Sequence, residues 1–154
     1  MLRYLLAVLL LPLLAVDARA DRTGVEFHRS EDFAARGIPL SEAVRAGDLL
    51  LLSGQLGFVP GAGLAEGGIE AETRQTMDNI GAILGRHGLG FEHVVKCLVM
   101  LADIAEWPAF NKVYAGYFKE SFPARSAFGG VQLVAGARVE VECMAAMPAG
   151  ANPP

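Results

Sequence analysis

The chain has 154 residues, with 13 Lys or Arg against 17 Asp or Glu and a formal net charge of −4. A length of this order fits one compact domain. No run of basic residues occurs, which argues against nucleic acid as a partner, because proteins that bind it carry a basic face.

Met1-Leu-Arg3-Tyr4 is a short positive start, and Leu5 to Val16 is apolar apart from Pro12. Ala18-Arg-Ala20 then places small residues where a signal peptidase reads them. The pattern predicts a secretory signal peptide over 1–20, leaving a domain at 21–154 in an exported protein, periplasmic or secreted. An uncleaved anchor is the alternative, but the apolar run is short for a bilayer, and no membrane span remains after cleavage. Losing Arg3, Arg19 and Asp17 makes the net charge one unit more negative.

Val25 to Gly37 is mixed and polar, and reads as a short strand followed by a loop. Ala43 to Ser53 holds two apolar runs around Gly47-Asp48, the pattern of a β-hairpin. Ser53-Gly54-Gln55 ends the second run, and a Gly there allows close backbone approach or a bulge. Gly57 to Gly68 is rich in glycine and reads as a loop. From Ile69 to His87, apolar residues recur at three- and four-residue spacing, predicting an amphipathic helix. Glu70 and Glu72 suit its first turn and Arg86 its last. Gly81 and Gly85, four apart, fall on one face, as for close packing on a sheet.

Val94 to Leu101 is nearly unbroken apolar sequence, as expected of a central strand covered on both faces. Trp107 to Phe118 returns to helical spacing, with Pro108 in the first turn, where its missing N–H is not needed. Ala124 to Leu133 and Arg138 to Met144 read as two further strands around a turn at Gly136. The expected fold class is α+β: one mixed sheet backed by two α-helices.

Cys97 and Cys143 are the only cysteines. They could pair in an oxidising compartment, and two buried thiols acting as small hydrophobes fit equally well. The three histidines show no metal-ligand spacing, and there is no phosphate-binding loop or dinucleotide fingerprint.

The most informative chemistry is Arg125 in Phe122-Pro-Ala-Arg125, followed by Glu140 in Val139-Glu-Val-Glu142. A guanidinium is shaped to grip a planar carboxylate through two parallel hydrogen bonds. A Glu in the same cleft could orient or deprotonate a water. Alternation puts Arg138, Glu140 and Glu142 on one face of the last strand, where they are either ordinary solvated charges or an interface lining. Ser53 and Gly54 could offer a hydroxyl and an N–H, and Asn111 lies beside the aromatic stripe of the second helix.

Taken together these segments resemble the RidA/YjgF family of imine/enamine deaminases. The resemblance rests on Ser53-Gly-Gln55, Glu70-Ala-Glu-Thr-Arg-Gln75 with Asn79, and Val94-Val-Lys96 with Leu101-Ala-Asp103. Phe110-Asn-Lys-Val-Tyr114, Phe122-Pro-Ala-Arg125 and Val139-Glu-Val-Glu142 complete it, in register from about Pro39 to Ala146. It implies a single domain similar to a small chorismate mutase, assembled as a homotrimer with pockets between subunits.

It also implies hydrolysis of small 2-imino or enamine carboxylic acids to 2-oxo acid and ammonia, without a metal or organic cofactor. Arg125 would bind the substrate carboxylate, Glu140 would activate the attacking water, and Ser53, Gly54, Asn111 and Ala127 would line the pocket. Leu40 stands where many active members carry Tyr, and Ala127 where some carry Cys. A carboxylate-binding module without catalysis, or a divergent hydrolase of the same fold, is the rival expectation.

Overall fold

The computed structural model describes residues 24–35 and 37–148. The signal peptide expected over 1–20 lies outside the described residues. Seven strands form one sheet: β1 (Val25–His28), β2 (Ala43–Ala46), β3 (Leu49–Leu52), β4 (Gln55–Leu56), β5 (Val94–Leu101), β6 (Ala124–Gly129) and β7 (Val139–Ala146). Their order is β1-β2-β3-β7-β5-β6, with β4 also pairing β7. Only β5 and β6 run parallel; the other pairs are antiparallel. The sheet is therefore mixed, as expected.

The hairpin falls where Gly47-Asp48 placed it, with Ala46 opposite Leu49. Gly47 has φ 59°, a left-handed value that glycine adopts at little steric cost. The segment after β1 is not only a loop: it contains a short helix α1 (Glu31–Ala35), in which Phe33 N–H donates to Ser30 Oγ at 3.3 Å.

Helix α2 (Gly68–Arg86) crosses one face of the sheet, burying Thr73, Thr76, Met77, Ile80, Ile83 and Leu84. Glu72 is also buried, and its Oε2 accepts from the Arg138 N–H at 2.8 Å, joining the helix to the start of β7. The expected pairing of Gly81 and Gly85 against the sheet does not occur. Gly81 makes room for the Phe91 ring, while Gly85 faces open space. Where the backbones do approach closely is Gly57, whose missing β-carbon would stand 2.8 Å from the Glu72 carbonyl oxygen.

Helix α3 (Trp107–Tyr114) runs into a 3-10 turn over Ala115–Tyr117 and buries Phe110, Val113 and Tyr114. Beneath the helices lie Leu50, Leu52, Cys97, Val99, Leu101, Val139, Val141, Cys143 and Ala145. Burying a large apolar side chain of this kind contributes roughly 1.5–3 kcal/mol. Cys97 sits directly opposite Cys143 in this core, and the two form a disulfide.

β5 is central, but its burial alternates, and only one of its faces is covered within the chain. Among the described residues no helix covers the other sheet face. Val44, Leu51 and Met144 lie in register across it, with Phe27 73% and Phe128 44% exposed on the same side. The reason for the near-continuous apolar run in β5 is thus an uncovered apolar sheet face rather than a second helical layer.

Candidate functional site

Arg125 lies on β6, the edge strand, directly opposite Cys97. Cross-strand partners share a face, so its side chain stands on the helix side with Cys97 and Cys143. There the guanidinium packs against α3, with Cζ 4.6 Å from the Trp107 ring centroid, 4.6 Å from that of Tyr114 and 5.7 Å from that of Phe110. Such contacts draw a cation to the electron-rich ring face. Among the described residues no carboxylate forms an ion pair with Arg125. The nearby Glu106 is taken by Arg138, through both oxygens.

Trp107, Asn111 and Tyr114 recur at helical spacing and so share one face of α3. Asn111 is half-buried there. Ala127, two residues beyond Arg125 on the same side of β6, lines an open cleft of about 480 Å³ with Ile104, Ala105, Trp107 and Pro108. Burial pushes the Tyr114 hydroxyl pKa up to about 12, opposed by the neighbouring Arg125 charge, so the ring stays neutral. Arg125, Asn111 and Ala127 thus form one cluster at the sheet edge.

Glu140 is elsewhere. It pairs with Met100, which in turn pairs with Phe128, and all three stand on the uncovered face. Leu56 of β4 is its other neighbour, and its carboxylate lies against the backbone of Gly54. Asn79 holds this corner in place: its Nδ2 donates to the carbonyls of Leu56 at 2.9 Å and Phe58 at 3.0 Å. Gln55 Nε2 donates to the carbonyls of Ser53 and Gly54, and Ser53 Oγ donates to the Ser41 carbonyl at 2.6 Å. Loss of water around Glu140 raises its pKa above the usual carboxylate value, and Glu142 on the same face adds to the rise. Ser53, Gly54 and Glu140 form a second cluster.

Within one chain Arg125 and Glu140 do not meet. Their side chains leave opposite faces of the sheet. They are separated by the width of β5 and by three residues of register, roughly 14 Å between backbones at ordinary strand spacings.

Sequence reasoning missed the aromatic platform under Arg125. The signal was present as the Trp107, Phe110, Tyr114 stripe, but nothing in spacing shows which strand residue will lie on it. Among the described residues no group of His, Cys, Asp and Glu could hold a metal ion. A smaller cavity of about 180 Å³ near the end of α2 is lined by His28, Ser30, Glu42, Arg86 and His87, among others. It holds none of the sequence-predicted residues. There Glu42 accepts from the Ser30 N–H at 2.7 Å and pairs with Arg86 at 2.6 Å.

Residues 32–147 match the family model described as Endoribonuclease L-PSP. The chain is 46% identical over 108 residues to the 2-iminobutanoate/2-iminopropanoate deaminase of Capra hircus, covering 70% of this chain and 79% of the relative. It is 35% identical over 137 residues to the chloroplastic Reactive Intermediate Deaminase A of Arabidopsis thaliana, covering 88% and 73%. The crystal structure of RidA from Psychrobacter sp. PAMC 21119 superposes with a TM-score of 0.69 at 31% identity, covering 82% of this chain and all of that one. With the described fold and the extent of these matches in agreement, the chain belongs to the RidA/YjgF family.

Proposed function

We propose that the protein is a hydrolytic deaminase of small 2-imino acids and their enamine tautomers, working as a homotrimer whose sites lie between subunits. The observation that carries this reading is the 46% identity to a relative named for that activity. Each site would join the Arg125, Asn111 and Ala127 cluster of one copy to the Ser53, Gly54 and Glu140 cluster of the next. Two features support the assembly: the two clusters sit on opposite faces of one chain, and the Glu140 face is uncovered and exposes Phe27 and Phe128 beside its charges. A cyclic arrangement, with one edge strand packed on the next copy's open face, completes both halves in every subunit.

In such a site Arg125 binds the substrate carboxylate through two charge-assisted hydrogen bonds. The adjacent iminium carbon is then already electrophilic. Glu140 takes a proton from water as its oxygen attacks that carbon, giving a tetrahedral amino alcohol. Glu140 returns its proton to nitrogen and then takes the hydroxyl proton as the C=O bond forms and the C–N bond breaks, releasing ammonia and leaving the 2-oxo acid. Oxidation states do not change at any step. A raised Glu140 pKa suits this role, because a stronger base accepts the water's proton more readily.

Export is part of the same proposal. The Cys97–Cys143 disulfide suits an oxidising compartment, where such bonds persist. Cell fractionation with a reducing-compartment control checks it: protein confined to the cytoplasm with both thiols free would remove this element.

The function is tested by supplying 2-iminobutanoate generated in situ and following ammonia and 2-oxobutanoate. Wild-type protein accelerates release, and Arg125→Ala and Glu140→Gln do not. Carboxylate binding without turnover would instead favour a binding module, a reading to which the exposed Leu40, lacking the hydroxyl of a Tyr, lends weight.

A further inference from the structure

Trp107 stands where two features meet. Its ring supports Arg125 at 4.6 Å, and it also lines the open cleft of about 480 Å³ with Ile104, Ala105, Pro108 and Ala127. All five lining residues are apolar. Ala127 follows Arg125 by two positions on the same face of β6, about 7 Å away along the strand between backbones, and the cleft shares the Trp107 ring with the guanidinium. Ile104 is 54% exposed at its rim, an apolar surface that water wets and a hydrocarbon group would cover. Of the carboxylates on the neighbouring turn, Glu106 is held by Arg138 and Asp103 accepts from the Ala105 N–H at 2.9 Å.

A 2-imino acid whose carboxylate pairs with Arg125 carries its side chain two bonds from that carboxylate. A methyl group would leave the cleft almost empty, whereas a branched or aromatic side chain would reach further into it and cover more of its apolar lining. Resting on the deaminase reading, we infer that Trp107 determines specificity: it positions Arg125 and walls an apolar subsite that selects 2-imino acids with bulky apolar side chains. Trp107 touches the substrate's side chain, not its reacting atoms. Ile104 supplies an exposed part of the same apolar lining.

The test generates imines in situ from alanine, leucine and phenylalanine with an amino-acid oxidase and measures kcat/KM for each, using the full exported chain. Burial of each further methylene is expected to raise kcat/KM about four-fold in the wild type, so the leucine-derived imine exceeds the alanine-derived one at least ten-fold. Ile104→Ser, a change at an exposed wall that does not touch Arg125, collapses that ratio towards one. Trp107→Ala collapses the ratio and also raises KM for every substrate, because Arg125 loses its support. Trp107→Phe, which keeps a ring beneath Arg125, restores KM but only part of the ratio. Turnover of the alanine-derived imine with no gain for larger ones, or a ratio unmoved by Ile104→Ser and Trp107→Ala, overturns the inference while leaving the deaminase reading intact. No turnover of any imine overturns both.

Discussion

The Glu140 carboxylate occupies the space that a side chain at position 54 would need: a β-carbon on Gly54 would collide with Glu140 Oε1. Glycine at that position is a requirement of the proposed base. Gly54→Ala is expected to push Glu140 out of place, lowering kcat/KM for 2-iminobutanoate by about 10²-fold or more, in the range of losing a general base. The site is half-buried and away from the core, so the melting temperature should change little. A Gly54→Ala protein with wild-type activity would show that Glu140 does not act there.

Because Arg125 and Glu140 point to opposite sides of one sheet, Arg125→Ala and Glu140→Gln should complement each other. Mixed by unfolding and refolding together, the two inactive variants would form some interfaces with both intact halves. For random assembly of a cyclic trimer, about a quarter of the interfaces are complete, so about a quarter of wild-type activity should return. Mixtures as inactive as the separate variants would rule out a shared site.

The pH dependence should carry the signature of Glu140. Its pKa lies above the ordinary carboxylate value of 4.5, first through burial and then through Glu142. The base works as the carboxylate, so kcat/KM falls as pH drops through that raised pKa, at a higher pH than an ordinary carboxylate would give. Glu142→Gln removes the like charge and should move this acid limb to lower pH. For folding the sign is opposite: the native state holds the proton more tightly, so this group's contribution to stability declines as pH rises from 4.5 through the raised value.

His87 predicts a second, independent effect. Its pKa is lowered from 6.5, chiefly by burial and then by His28, whose ring lies 4.4 Å away, and by Arg86. The unfolded chain therefore binds the proton more readily, and stability is lost as pH falls through 6.5 towards the depressed native value. Glu42 and Glu26 oppose the shift without cancelling it. Thermal melts from pH 7.5 to 5 should show the loss, and His87→Gln should flatten it.

The Cys97–Cys143 disulfide closes a loop across 46 residues, which by loop entropy contributes about 4 kcal/mol. Cys97→Ala with Cys143→Ala should lower the urea midpoint accordingly, and wild-type protein under reductant should follow it part of the way. Equal midpoints with and without reductant would mean that the bond is not formed in solution.

Most of the fold could be read from local pattern. The hairpin at Gly47-Asp48, the helices from Ile69 and Trp107 and the strands of Val94 and Val139 all lie where periodicity put them. This is because side-chain period follows backbone geometry directly. Chain ends and short pieces were less legible: α2 begins one residue earlier, at Gly68, and β4 has only two residues. Two residues make no period, and β4 exists only because β7 lies beside it.

Spacing gave the α+β class, and residue type together with the family resemblance singled out Arg125 and Glu140 as candidates, because both follow from residue type and near neighbours. Which face each of them occupies depends on parity across three strands, β6, β5 and β7, from segments far apart in the chain. Only the tertiary register decided that, and with it that Arg125 rests on Trp107 and Tyr114 while Glu140 rests on Gly54. A single residue of slip would have reversed the outcome.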